Sequence, residues 1–79
     1  MERIDILLKM QDVFRDVLDN SNIVLTEETT ADDIEEWTSL THVSLINSIE
    51  NNMNISFSVR EMMGWQNIGE IIDSIQSKL

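Results

Sequence analysis

The sequence predicts an all-α fold: a small antiparallel four-helix bundle with a long first loop and a short third helix, residues 1–79 forming one domain. Three observations predict it. The chain has no proline and only two glycines, so helix breakers are nearly absent. Apolar residues recur every three or four positions in several segments. Short polar residues that cap helices stand in front of those segments. At 42% hydrophobic the chain can bury a core, and 79 residues lie near the small end of what a single core supports.

The first helix is expected from about Arg3 to Leu18. Ile4, Leu7, Leu8, Phe14, Val17 and Leu18 form its inward stripe, which Ile6, Met10 and Val13 widen. Asp5, Lys9, Asp12, Arg15 and Asp16 make a solvated outer face, with Asp5 and Lys9 at helix-supporting spacing. Asp19-Asn20-Ser21-Asn22 then ends the helix, because short polar side chains compete for the backbone. From Asp19 to Thr38 the connector holds seven acids and no Lys or Arg. So long a segment needs anchoring, and Ile23, Leu25, Ile34 and Trp37 are the anchors, with a short helical turn at Thr30–Ile34.

The second helix is expected from Ser39 to Asn52, with Leu45, Ile46, Ile49 and Met53 facing the core. At its start, Thr38 or Ser39 can accept a hydrogen bond from the free N–H groups of the first turn. The same N–H groups and the helix dipole favour a phosphate, which makes Ser39 a candidate for covalent attachment. Leu40 and Val43, one turn in, are expected to be partly exposed, and His42 reads as a surface imidazole. Ile55 and Phe57 alternate inward in an extended link. A third helix over Ser58–Met63 has Ser58 and Glu61 at capping-box spacing, and Gly64 is placed to stop it in a left-handed conformation. Asn67 opens the last helix, whose stripe is Ile68, Ile71, Ile72, Ile75 and Leu79. Met62, Met63 and Trp65 either fill the core or line a soft apolar cleft.

A formal net charge of −10 excludes a nucleic-acid partner, whose phosphates would repel the chain. Without cysteine there is no disulfide, thiolate nucleophile or thiolate metal site. The connector lacks the glycine of a calcium-binding loop, so Asp32, Asp33, Glu35 and Glu36 read as a solvated acidic loop, and no metal site is expected. One histidine and no glycine-rich phosphate loop leave no catalytic set, so the chain is not expected to be an enzyme. No apolar run approaches a membrane span and no signal-peptide pattern opens the chain, which suits the cytoplasm and a monomer.

Ser39-Leu40, Trp37 two residues earlier, and the pattern Val43, Leu45-Ile46, Ile49-Glu50 resemble the second helix of acyl carrier proteins. The long pinned first loop, the stretch Asn52–Phe57 and the Ile68-Gly69-Glu70 opening of the last helix extend the resemblance over most of the chain. It implies that Ser39 carries a 4'-phosphopantetheine arm, covalently attached from coenzyme A, whose thiol holds an acyl group as a thioester. It implies as partners a phosphopantetheinyl transferase (a holo-carrier synthase), an acyl-loading ligase or synthase, and an acyltransferase. Thr38, Leu40 and Val43 would be the contacts nearest the arm, and with Thr41 and His42 they would form the partner-binding surface. Two departures stand out: Thr38 replaces the aspartate of the family's Asp-Ser-Leu motif, and Glu50 is the only acid on the second helix, where the family often places several. The departures favour a specialised carrier in polysaccharide-modifying or secondary metabolism as much as the fatty-acid one. The alternatives are an aminoacyl or peptidyl carrier and an unmodified acidic helical adaptor in which Ser39 only caps a helix.

Overall fold

The computed structural model describes residues 1–79 and contains four helices and no strand. These are α1 (Arg3–Val17), α2 (Ser39–Met53), α3 (Val59–Gly64) and α4 (Ile68–Lys78), with a short 3-10 turn at Ala31–Asp33 in the connector. The all-α class, the long first loop and the short third helix agree with the sequence. α1 packs against both α2 and α4. The core joins Ile6, Met10, Val13 and Phe14 of α1 to Leu45, Ile46 and Ile49 of α2 and to Ile68, Ile71, Ile72 and Ile75 of α4.

The buried face of α1 departs from the expected stripe at two positions, while Phe14 and Leu18 are buried and Leu7 and Val17 pack on the core as expected. Ile4 and Leu8 are 57% and 51% exposed, whereas Ile6 and Met10 are fully buried. Two residues rotate a helix by roughly 200°, so Ile4 and Leu8 lie nearly opposite Ile6. Both sets keep helical spacing, and only the set that continues through Val13 and Phe14 meets two neighbouring helices at once. The stripe of α4 ends at Ile75, and Leu79 beyond the helix is exposed.

Helix ends follow short polar residues rather than glycine. Asp19, at φ 51°, turns the chain out of α1, while the Asn20 N–H donates to Arg15 O at 3.0 Å and the Asp19 N–H to Asp16 O at 3.3 Å. Asn54, at φ 56°, ends α2 in the same way, with the Ile55 N–H on Glu50 O. The expectation for Gly64 fails, because no glycine has a positive φ. α3 stops instead where Trp65 turns extended and its side chain enters the bundle. There the indole packs edge-on against Phe57 and its N–H donates to Ser74 Oγ at 2.9 Å. The Ser58–Glu61 capping box forms as the sequence predicts.

All four expected anchors hold the connector: Ile23, Leu25 and Ile34 are buried, and Trp37 packs against the core. Polar bonds fix the same segment to α1. The Arg15 guanidinium donates to Ile23 O at 2.7 Å, and the Leu25 N–H donates to Gln11 Oε1 at 3.0 Å. Farther along, Glu27 O accepts the Gly69 N–H at 2.8 Å and Thr29 O accepts the Ile68 N–H at 2.9 Å. A side chain at position 69 would place its Cβ 3.1 Å from Glu27 O, so glycine permits this close approach. Arg3 completes the joint with bonds to Glu27 at 2.7 Å and Asp73 at 2.6 Å, and its guanidinium holds the Glu27 carboxyl below the usual range.

Two predictions follow from this packing. Ile72→Ala removes a side chain with no solvent exposure and is expected to cost about 2–5 kcal/mol, against about 1 kcal/mol for Thr41→Ala, in denaturant midpoints. The second concerns acid. The Glu61 carboxyl is held below its ordinary pKa by the Ser58 backbone N–H and then by Lys78, 3.0 Å away. Its stabilising contribution is therefore present above the ordinary glutamate pKa and disappears as the pH falls through the lower, folded value. Glu61→Gln should flatten the acid limb of a stability-versus-pH curve; an unchanged limb would refute the link.

Candidate functional site

The start of α2 is built by a reciprocal pair of threonines. Thr38 Oγ1 accepts the Thr41 N–H at 3.3 Å, and Thr41 Oγ1 accepts the Thr38 N–H at 2.8 Å. The Thr41 hydroxyl also donates to Glu36 O at 2.8 Å, tying the helix start to the connector. Thr38, with extended backbone at φ −110° and ψ 177°, is thus the cap. Ser39 is the first residue inside the helix, and a Ser39 that merely caps does not hold.

With the capping done by its neighbour, Ser39 is left exposed and its hydroxyl makes no hydrogen bond within the protein. The N–H groups of Ser39 and Leu40 have no internal partner either; the first backbone bond of the helix is the His42 N–H to Thr38 O at 2.9 Å. α4 differs in this respect. Its first three N–H groups are taken by Thr29 O, Glu27 O and Asn67 Oδ1. The amide donors at the start of α2 therefore lie beside a free primary hydroxyl, in the field of a helix N-terminus.

Ser39 borders a cavity of about 200 Å³, shared with Trp37, Thr38, His42, Met62 and Trp65. His42 organises it. The Trp37 indole N–H donates to His42 Nδ1 at 3.0 Å, and since an indole only donates, the imidazole proton lies on Nε2. From there it donates to Met62 O at 3.3 Å. The rings continue the arrangement: Trp37 lies beside His42 with the two planes 18° apart and meets Phe14 edge-on at 5.0 Å, while Trp65 lies edge-on to His42 at 6.3 Å. No Lys or Arg lines the cavity, so its donors are the helix-start amides and neutral polar side chains.

The structure brings Ser39, Thr38 and His42 to one cavity, together with Met62 and Trp65, which the sequence offered for either core or cleft. His42 is half-buried rather than a surface imidazole, because both ring nitrogens are engaged. Leu40 is 83% exposed and Val43 is exposed as well, as expected for an outward surface. Thr41 is half-buried in its capping role. Gln66 and Asn67 also border the cavity, and no sequence pattern marked them for it. The acids of the connector stay dispersed: no group of three or more His, Cys, Asp or Glu is gathered to hold a metal.

Residues 9–75 match the family model described as a phosphopantetheine attachment site. Fold and match together define a carrier domain bearing covalently attached 4'-phosphopantetheine. The chain belongs to the acyl carrier protein family. Among solved structures it is similar to the solution structure of the holo acyl carrier protein from Geobacter metallireducens. The two are 40% identical with a TM-score of 0.85, over 91% of this chain and 83% of that one. A comparison with curated proteins returned no match. No helix is long and apolar enough to cross a membrane.

The division of labour at the helix start is testable by stability alone. Thr38→Ala should cost about 1 kcal/mol through loss of the cap. Ser39→Ala should leave the denaturant midpoint within measurement error, because its hydroxyl bonds to nothing. A larger loss at Ser39 than at Thr38 would reverse the assignment.

Proposed function

We propose that residues 1–79 act as one acyl carrier domain whose phosphopantetheine is attached at Ser39. The observation that carries this reading is the free Ser39 hydroxyl at the first position of α2, beside two N–H groups without internal partners. The exposed hydroxyl, the unpaired amides and the adjoining mixed cavity suit a phosphodiester that leads into an arm. Attachment requires the Ser39 oxygen to displace adenosine bisphosphate from coenzyme A, with loss of the serine proton, on a phosphopantetheinyl transferase. The attached group supplies a terminal thiol that can hold an acyl chain as a thioester.

The protein's own residues present and orient. Thr38 and Thr41 fix the helix start, so that Ser39 projects from a rigid element next to a pinned connector. Leu40 and Val43, exposed one turn in, offer apolar contacts to a transferase, a loading ligase or synthase and an acyltransferase, with Thr38, Thr41 and His42 flanking them. The chain itself performs no chemistry on the cargo in this reading. The polar, largely uncharged outer face of α2 suits a specialised acyl carrier in polysaccharide or secondary metabolism.

Incubation with coenzyme A, Mg²⁺ and a broad-specificity phosphopantetheinyl transferase should add the mass of one phosphopantetheine and no more. Ser39→Ala should remain folded and gain nothing. Thr38→Asp keeps a capping side chain and restores the family's carboxylate, so it should be modified at least as fast as the parent. Modification of Ser39→Ala to the parent's extent, or of neither the parent nor Thr38→Asp, would sink the proposal.

A further inference from the structure

Two cavities meet at one pair of residues. The first is the mixed cavity beside Ser39. The second, of about 330 Å³, lies between α2 and α3 and is walled mainly by Val43, Ile46, Val59 and Met63. Only His42 and Met62 border both. The hydrogen bond from His42 Nε2 to Met62 O crosses this shared wall. The geometry points to His42 as a latch that closes the passage from the Ser39 cavity into the apolar groove between α2 and α3.

The latch has a rigid side and a yielding side. On the rigid side, Trp37 lies beside the imidazole in nearly the same plane, fixes its tautomer through Nδ1, and is itself packed against the buried Phe14. The yielding side is α3, six residues long with none buried. Apart from its own cap and the Trp65 anchor just beyond its end, α3 is held by Lys78 on Glu61, by the half-buried Met62 side chain and by the His42 bond to Met62 O. A segment with so little buried area opens at a lower free-energy cost than the core helices do. Release of the latch frees the last turn of α3 and joins the two spaces.

The order of the linings suits a chain tethered at Ser39. The nearer space offers Thr38, Gln66 and Asn67 to amide groups, and the farther one is chiefly apolar. A tethered arm with polar groups first and an acyl chain after them passes His42 on its way in. His42 is thus a positioning residue that decides whether the acyl group lies outside or within the groove. This second half rests on attachment at Ser39; the latch itself does not.

The first measurement uses the unmodified protein. Amide hydrogen exchange at Met62, Met63 and Gly64 should be about three- to tenfold faster in His42→Ala, the range expected for one lost hydrogen bond, with Met10 and Phe14 of α1 unchanged. Gln can accept from Trp37 and donate to Met62 O, so His42→Gln should exchange like the parent. Unchanged α3 exchange in His42→Ala, equal acceleration in α1 and α3, or a His42→Gln variant as fast as His42→Ala would each overturn the latch. The second measurement loads an octanoyl-phosphopantetheine onto Ser39 from octanoyl-coenzyme A, verified by mass. Loading should then shift the methyl signals of Ile46 and Met63 more in His42→Ala than in the parent; equal shifts would overturn the gate. Absence of the mass gain would refute attachment at Ser39 and leave the exchange result standing as the test of the latch.

Discussion

The docking of the connector onto the first turn of α4 is the joint on which the rest of the molecule depends. A segment without regular structure must place its own polar backbone, and a helix start must find partners for its first N–H groups. Here each solves the other's problem, with Thr29 O and Glu27 O accepting from Ile68 and Gly69. Gly69 lets the strands of backbone approach, and Arg3 ties α1 to both sides of the contact. The joint brings the connector across the bundle so that Ile34 and Trp37 reach the core and deliver Thr38 to the head of α2. The two helix starts end in opposite states as a result. α4 has its amides fully engaged within the fold, and α2 keeps two of them beside Ser39.

That asymmetry leaves a free hydroxyl and open amides at the head of α2 without burying any charge. Most of the acids lie on or just before α1 and in the connector, while the outer face of α2 carries hydroxyls, amides and two exposed aliphatic side chains. A surface of this kind offers shape and apolar contact rather than long-range attraction, which ordinary salt screens within about 10 Å. Thr38 fits this pattern. As a neutral residue it performs the capping that an aspartate can perform, without adding a negative charge next to the serine.

Much of this was legible in the sequence because the signals are local. Ser58 with Glu61, Asn67 before α4, the isoleucines of α4 and the apolar anchors of the connector all report their structure within a few residues. The failures have a common cause. α1 carries apolar residues around most of its circumference, so Ile4 and Leu8 matched helical spacing as well as Ile6 and Met10, and only the positions of α2 and α4 decide between them. Gly64 was a plausible stop until Trp65 found Phe57 and Ser74 across the fold. His42 looked like a surface residue because one of its two partners, Met62, lies twenty positions away. The choice between Thr38 and Ser39 as cap turned on Thr41, whose hydroxyl completes the pair.

The line of rings through the site has an optical consequence. The chain contains two tryptophans and no tyrosine, so its near-ultraviolet emission comes almost wholly from Trp37 and Trp65. Both border the cavity beside Ser39, and both lie against His42. The remaining bulk of the molecule is dark by comparison. The protein therefore carries its own fluorophores at the place where its chemistry is proposed to occur, and its emission colour and intensity register the state of that cavity without any added label.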